Sequence, residues 1–184
     1  MSELEAMVRM LADRQAIRDC LANYSRGVDR LDRELLISVY HEDAIDDHGV
    51  FVGDREAFAD WAIAHHSRHQ DATQHIITNH TCELDGDVAH TETYWMMASM
   101  NKQGAPLNLS GGRYIDRFER RNGRWAIALR KCLGEWRGIP GEPQLSPEGQ
   151  KALNSGAPPS RDRNDPSYER PLTFDESRRG YRFL

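Results

Sequence analysis

Eight histidines in a chain of 184 residues carry most of its capacity to move a proton near neutral pH. His65 and His69 stand four apart, with His66, Asp71 and His75 nearby, and Asp46, Asp47 and His48 form a second polar knot. Two histidines and a carboxylate are enough to hold iron or zinc. With eight histidines, however, such spacings arise by chance, and no set has the tight spacing of a ligand motif, so neither a metal nor another cofactor is expected. His65, His66 and His69 are then expected to face solvent or an interface. Asp47-His48 is the more interesting pair: pointed into a pocket mouth, it supplies an acid or binds a substrate oxygen, whereas the plainer alternative is a turn held by Asp47. Asp29 and His75 also have plain readings. Asp29 can cap a following helix or pair with Arg30 or Arg33, and His75 can be a satisfied structural residue in a strand.

These side chains need elements to position them. Leu4, Val8 and Leu11, then Ile17, Leu21, Tyr24 and Val28, recur at helical spacing, and Gly27 reads as the stop. Asp32 is placed to cap a second helix carrying Leu35, Leu36, Val39 and Tyr40. The stretch 41–52 reads as a small strand pair or extended rim, and Asp54 caps a third helix with Phe58, Trp61, Ala62 and His65 inside. From residue 74 to 137 the chain reads as four long strands, 74–84, 88–100, 106–120 and 124–137. They are separated by Asp85-Gly86-Asp87, Lys102-Gln103-Gly104 and Arg121-Asn122-Gly123, which are hairpin signals. Strands this long must twist and curl, and three helices gathered on one side of a curled antiparallel sheet make an α+β cone with an apolar interior and a polar mouth. Along the third long strand Tyr114, Asp116 and Phe118 share the inward face, and Arg113 points away. Tyr24, a turn and a half before Asp29, reaches the same cavity, and Trp95, Met97 and Trp136 are further candidates to line it.

Composition excludes several roles. The net charge of −5, and the mixture of Arg117, Arg120, Arg121 and Arg124 with Asp116 and Glu119, lack the one-sided footprint of a nucleic-acid binder. No apolar run approaches the ~18 residues of a membrane span, and the N-terminus lacks a signal peptide's apolar core. Cys20, Cys82 and Cys132 are odd in number and far apart, which favours a reducing cytoplasm over a disulfide framework. Seven of the eight prolines lie from residue 140 onward, so residues 1–138 are expected to form the domain and 139–184 a proline-rich extension. That extension retains Tyr168, Phe174, Tyr181 and Phe183 and is expected to strap across the domain or a neighbour, peripheral to the core. Apolar side chains left on the outer sheet face call for a homo-oligomer, dimer or trimer.

Ala16-Ile17-Arg18-Asp19, Tyr40-His41-Glu42-Asp43-Ala44, Asp47-His48-Gly49, Gln74-His75-Ile76-Ile77-Thr78-Asn79 and Gly112-Arg113-Tyr114-Ile115-Asp116, with Gly123-Arg124-Trp125, resemble the SnoaL-like branch of the NTF2-like superfamily over residues 10–137. The resemblance implies a cone of long curved strands and three helices. Its members include scytalone dehydratase, bile-acid 7α-dehydratase, polyketide cyclases, a dehydrochlorinase and plain binding proteins. It also implies roles: Asp29 and His75 match an Asp–His general-base dyad, with Tyr24 as polar partner, while rim position, strand alternation and side-chain type, not the resemblance, add Asp47, His48, Trp95, Met97 and Tyr114 as a substrate-binding set. The dehydrochlorinase has a basic residue where Leu129 stands and a lysine where Tyr24 stands, so a hydroxyl leaving group fits better than a halide. The implied activity is a cofactor-independent lyase or isomerase, dehydratase-like, acting on a small hydrophobic oxygenated ring compound. A non-catalytic ligand-binding or interaction domain is the alternative, and a structural subunit like that of ring-hydroxylating dioxygenases a third.

Overall fold

The computed structural model describes residues 2–141, 148, 160–173 and 176, so Phe174, Tyr181 and Phe183 lie outside the described residues. Its elements run α1 (Glu3–Asp29), α2 (Arg33–Ser38), β1 (Tyr40–Asp47), β2 (Val52–Asp54), α3 (Arg55–His69), β3 (Gln70–Asp85), β4 (Val88–Asn101), β5 (Leu107–Arg121) and β6 (Arg124–Gly138). Each helix starts at an oxygen-bearing cap. Ser2 and Glu5 make a reciprocal capping box, the Asp32 carboxylate accepts from the Leu35 N–H, and the Asp54 carboxylate accepts from Ala57. The β5–β6 hairpin turns on Asn122 and Gly123, both with positive φ (53° and 77°), the conformation a tight two-residue turn requires.

The strands form one curled sheet in the order β2-β1-β6-β5-β4-β3. The expected antiparallel sheet is in fact mixed, because β1 runs parallel to β6. The second helix stops at Ser38, and Tyr40, expected within that helix, instead opens β1 and is fully buried. A chain entering alongside β6 at this point converts the expected rim into a full edge of the sheet.

The core lies between the concave sheet face and the second half of α1, with Ile17, Leu21, Tyr24 and Val28 packed against Leu36, Phe58, Tyr114, Phe118 and Ile127. The first three turns of α1 depart from expectation. Leu4, Val8 and Leu11 are exposed, because the 27-residue helix overhangs the sheet. It is moored where it passes the β5–β6 hairpin: Arg120 and the indole N–H of Trp125 both donate to Asp13, each at 2.8 Å. Among the described residues no helix is long and apolar enough to cross a membrane.

Gly27 does not stop α1, which continues to Asp29. Its role is close approach, since a β-carbon there would lie 2.9 Å from the Leu36 backbone nitrogen. Gly27→Ala is therefore expected to lower the melting temperature. Overpacking against backbone, ~1–3 kcal/mol, exceeds the gain in helix propensity of ~1 kcal/mol. Thermal denaturation checks this; a rise would show that α2 shifts freely.

Candidate active site

A cavity of about 150 Å³ opens between α1, α3 and the sheet, and Tyr24, His48, His75, Trp95, Met97 and Tyr114 all line it. Phe58, Trp61, His65, His66 and Cys132 complete much of the wall. Tyr114 points inward with Asp116 and Phe118, all buried, while Arg113 turns outward to Glu92 and Glu135. Trp136 does not line the cavity. It lies half exposed on the outer face, its ring over Gly111, where a β-carbon would come within 2.3 Å of it.

Asp29 is the last residue of α1, and its carboxylate reaches across to β3. One oxygen lies 2.6 Å from His75 Nδ1, and the other accepts from the His75 backbone N–H at 2.8 Å. Neither plain reading of Asp29 applies, because Asp32 caps α2, Arg30 pairs with Asp165 and Arg33 pairs with Asp60. A carboxylate only accepts, so Nδ1 carries the proton and the neutral ring leaves its Nε2 lone pair free. The two-point grip fixes both the tautomer and the ring's position. His66 lies beside this ring, 5.5 Å between centroids, and is buried rather than exposed as expected. Burial, and repulsion from His75 whenever that ring is protonated, bring its pKa down to about 4, against a hydrogen bond with Gln70, so it stays neutral.

A second carboxylate–histidine pair sits on the same cavity. His48 Nδ1 is in short contact with Asp46, and its Nε2 lies 3.3 Å from the Tyr24 hydroxyl. Asp47 is not among the lining residues. Its carboxylate accepts from Gly49 N–H at 2.9 Å and holds the turn. Asp46 and His48 are two apart, so the alternation of β1, carried one residue past its end at Asp47, puts them on one side, which is the signal that could have found the pair. Burial pulls the His48 pKa down, but the hydrogen bond to the Asp46 carboxylate and the nearby Cys132 outweigh it and hold the pKa at about 9. His48 is thus a cation at neutral pH. Burial pushes the Tyr24 phenol well above its ordinary pKa, opposed by the charge of Arg130, so Tyr24 is a proton donor and not a base.

Beneath these groups lies a feature the sequence reading missed. Arg130, one residue after the Leu129 that the resemblance matches to a basic position, is completely buried and makes a two-point ion pair with Asp116, at 2.8 and 2.7 Å. Its guanidinium stacks 4.2 Å from the Tyr24 ring centroid and 4.0 Å from that of Tyr114. Asp46, paired in register with Arg130 on the other side, also accepts from the Tyr40 hydroxyl at 2.6 Å. Two carboxylates, one guanidinium and one imidazolium leave the cluster close to neutral. Among the described residues no three His, Cys, Asp or Glu side chains converge as metal ligands.

The family model of the SnoaL-like domain matches residues 9–131. No curated protein matches the sequence. Among solved structures, a hexachlorocyclohexane dehydrochlorinase, LinA type 2, superposes with a TM-score of 0.70 at 23% identity, over 77% of this chain and 98% of its own. A candidate scytalone dehydratase from Novosphingobium aromaticivorans superposes at 0.65 with 18% identity, over 76% and 95%. A protein of unknown function from Mycobacterium tuberculosis superposes at 0.65 with 24% identity, over 73% and 78%. Identities this low show the shared fold alone.

Removing one partner of a buried ion pair strands the other. Asp116→Ala is expected to destabilise the fold by ~3–5 kcal/mol, whereas Arg130→Met combined with Asp116→Leu recovers most of that loss. Urea denaturation of the three proteins checks the order; equal losses in the single and double variants would show that the charges are incidental.

Proposed function

The chain belongs to the SnoaL-like domain family, and within it we propose a cofactor-independent lyase or isomerase that removes a proton from carbon in a small, oxygenated ring compound. The observation that carries this reading is the Asp29–His75 pair, held at two points and edging an apolar, aromatic cavity. In the dehydratase form His75 Nε2 takes a proton from the carbon next to a carbonyl, and that C–H electron pair becomes the new double bond. The C–O bond on the adjacent carbon breaks, and the departing oxygen takes a proton from Tyr24 and leaves as water. His48, cationic and within reach of the Tyr24 oxygen, donates through Nε2 and restores the phenol. The proton on His75 returns to His48 through solvent, so the cycle closes with alkene and water as products. In the isomerase form the same proton is returned to a different carbon.

Cavity size narrows the substrate. About 150 Å³ is the scale that admits a benzene ring, so a single-ring hydroxy ketone is the proposed class. The presence of Arg130 under the cavity weakens the sequence-based case against a halide leaving group, but the guanidinium is engaged by Asp116, which leaves Tyr24 and His48 to serve a hydroxyl.

A thermal-shift screen of monocyclic hydroxy ketones selects a ligand, because binding to the native state alone raises its stability. With that compound, His75→Ala and Asp29→Asn are each expected to lower turnover by ~10²–10⁴-fold, and the double variant to be little worse than the worse single one. Tyr24→Phe is expected to cost less, and wild-type activity to fall above pH 9 as His48 loses its proton. An Asp29→Asn protein that melts earlier yet turns over normally would overturn the reading.

The proposal extends to assembly and location. Ile76, Met96 and Trp136 form an exposed stripe on the outer sheet face, and Leu4, Val8 and Leu11 line the overhang of α1. A homo-oligomer, dimer or trimer, would cover them, and the free, unpaired cysteines suit a reducing cytoplasm. Light scattering is expected to give a multiple of 21.1 kDa. Met96→Glu with Trp136→Glu, and separately Val8→Glu with Leu11→Glu, then identify the face used; a monomer at micromolar concentration excludes assembly.

A further inference from the structure

The described part of the C-terminal segment crosses the end of the molecule where the helices finish and β3 begins. Arg161 is its central contact. The guanidinium donates from Nε to the Asp29 carbonyl at 3.3 Å and from Nη1 to the carbonyls of His66 (3.2 Å) and Gln70 (2.8 Å). Its Nη2 donates to the Thr73 hydroxyl at 3.3 Å. Two of these acceptors, the carbonyls of Asp29 and Gln70, lie where α1 and α3 run out of intrahelical donors, and the His66 carbonyl, which already accepts from the Gln70 N–H, is shared with it. The fourth is two residues before His75. One side chain therefore ties together the end of the helix that carries Asp29, the end of α3, and the start of the strand that carries His75.

The segment around Arg161 is itself built. The Asp165 carboxylate is 4% exposed and accepts from the backbone N–H groups of Ser160 and Ser167, each at 3.0 Å, while Arg30 pairs with it at 3.3 Å. The Tyr168 hydroxyl donates to Asp32 at 2.8 Å, and Arg26 stacks 4.4 Å from the Tyr168 ring centroid. Through Asp165 and Tyr168 these contacts hold the residues after the arginine against the end of α1 and the start of α2, and the Ser160 N–H ties the residue before it into the same segment.

We infer that Arg161 is a positioning residue for the Asp29–His75 pair, so that the C-terminal extension, although outside the matched family region, sets the geometry of the base. The inference takes that pair as the working base of the proposed reaction. Arg161 reaches no reacting atom. It acts by fixing the backbone at Asp29 and at residues 70–73, and so the separation that the Asp29 carboxylate has to span. A lysine cannot reproduce this, because its single ammonium lacks the planar fork that reaches several acceptors at once.

The molecule carries its own internal control. His75 and His48 each hold an Nδ1 proton against a carboxylate, but Arg161 contacts only the elements of the first pair. In full-length protein the two protons are observable as downfield ¹H resonances, assigned by their loss in His75→Gln and His48→Gln. Arg161→Ala is expected to broaden the His75 resonance and speed its exchange with water by about tenfold or more, the local opening expected from loss of ~1.4 kcal/mol. The His48 resonance should stay unchanged, and Arg161→Lys should fall between Arg161→Ala and wild type. If Arg161→Ala fails to fold by circular dichroism, Arg161→Lys alone decides, with the His75 signal moving and the His48 signal fixed. An unchanged His75 resonance, or equal changes in both, overturns the inference. Failure of the catalytic reading appears elsewhere, as turnover that survives His75→Ala, and leaves this measurement untouched.

Discussion

A guanidinium with no access to water must be neutralised and stacked where it lies, and that constraint at Arg130 organises the interior of this protein. Its charge is met by Asp116 on one neighbouring strand, with Asp46 in register on the other. Its faces are covered by Tyr24 from α1 and Tyr114 from β5. The arrangement holds only if β1, β6 and β5 are in register and α1 lies across them. The desolvation cost of such a charge is large enough that a misregistered sheet would be strongly disfavoured. The same two tyrosines then form the floor of the cavity, so the constraint that holds the core together also shapes the place where a substrate would bind.

Two carboxylate–histidine pairs flank this floor, and they differ in what their surroundings do. Asp46, fully buried beside Arg130, holds His48 in its charged form and leaves Tyr24 hydrogen-bonded to a cation. Asp29, at the cone's edge, grips His75 through both its ring and its backbone and leaves Nε2 open. In the proposed reaction the first pair would serve as the acid side and the second as the base, the two roles that elimination or proton shuttling requires. The wall around them is largely aromatic, which lowers the local polarity in which each hydrogen bond there acts.

The cone also explains why an extension can matter to a site it does not enter. Asp29 ends α1, where a helix leaves carbonyls unsatisfied, and His75 lies in the first third of β3, close to the end of α3. Arg161 from the C-terminal segment donates to the carbonyls of Asp29 and Gln70 at that end of the cone.

Hairpins and caps were legible from sequence because they are local: Asn122-Gly123 can reach positive φ cheaply, and Asp32 and Asp54 need only the N–H groups three residues ahead. The alternation that turned Tyr114 inward was legible for the same reason, and it would have paired His48 with Asp46 rather than Asp47 had it been applied there. Asp29 and His75, 46 positions apart, came together in the reading only through family resemblance, since nothing in either local stretch specifies the other. Arg130 was missed because an arginine in a strand reads as solvent-facing until its partners across two strands are known. The parallel entry of β1 was missed because strand order beyond adjacent hairpins leaves no mark within the strand itself. Sequence by itself determined which elements form and which way most side chains point. Tertiary structure alone decided which charges share a buried site, because the energy of a buried charge depends on neighbours brought there by register, not on the residues beside it in the chain.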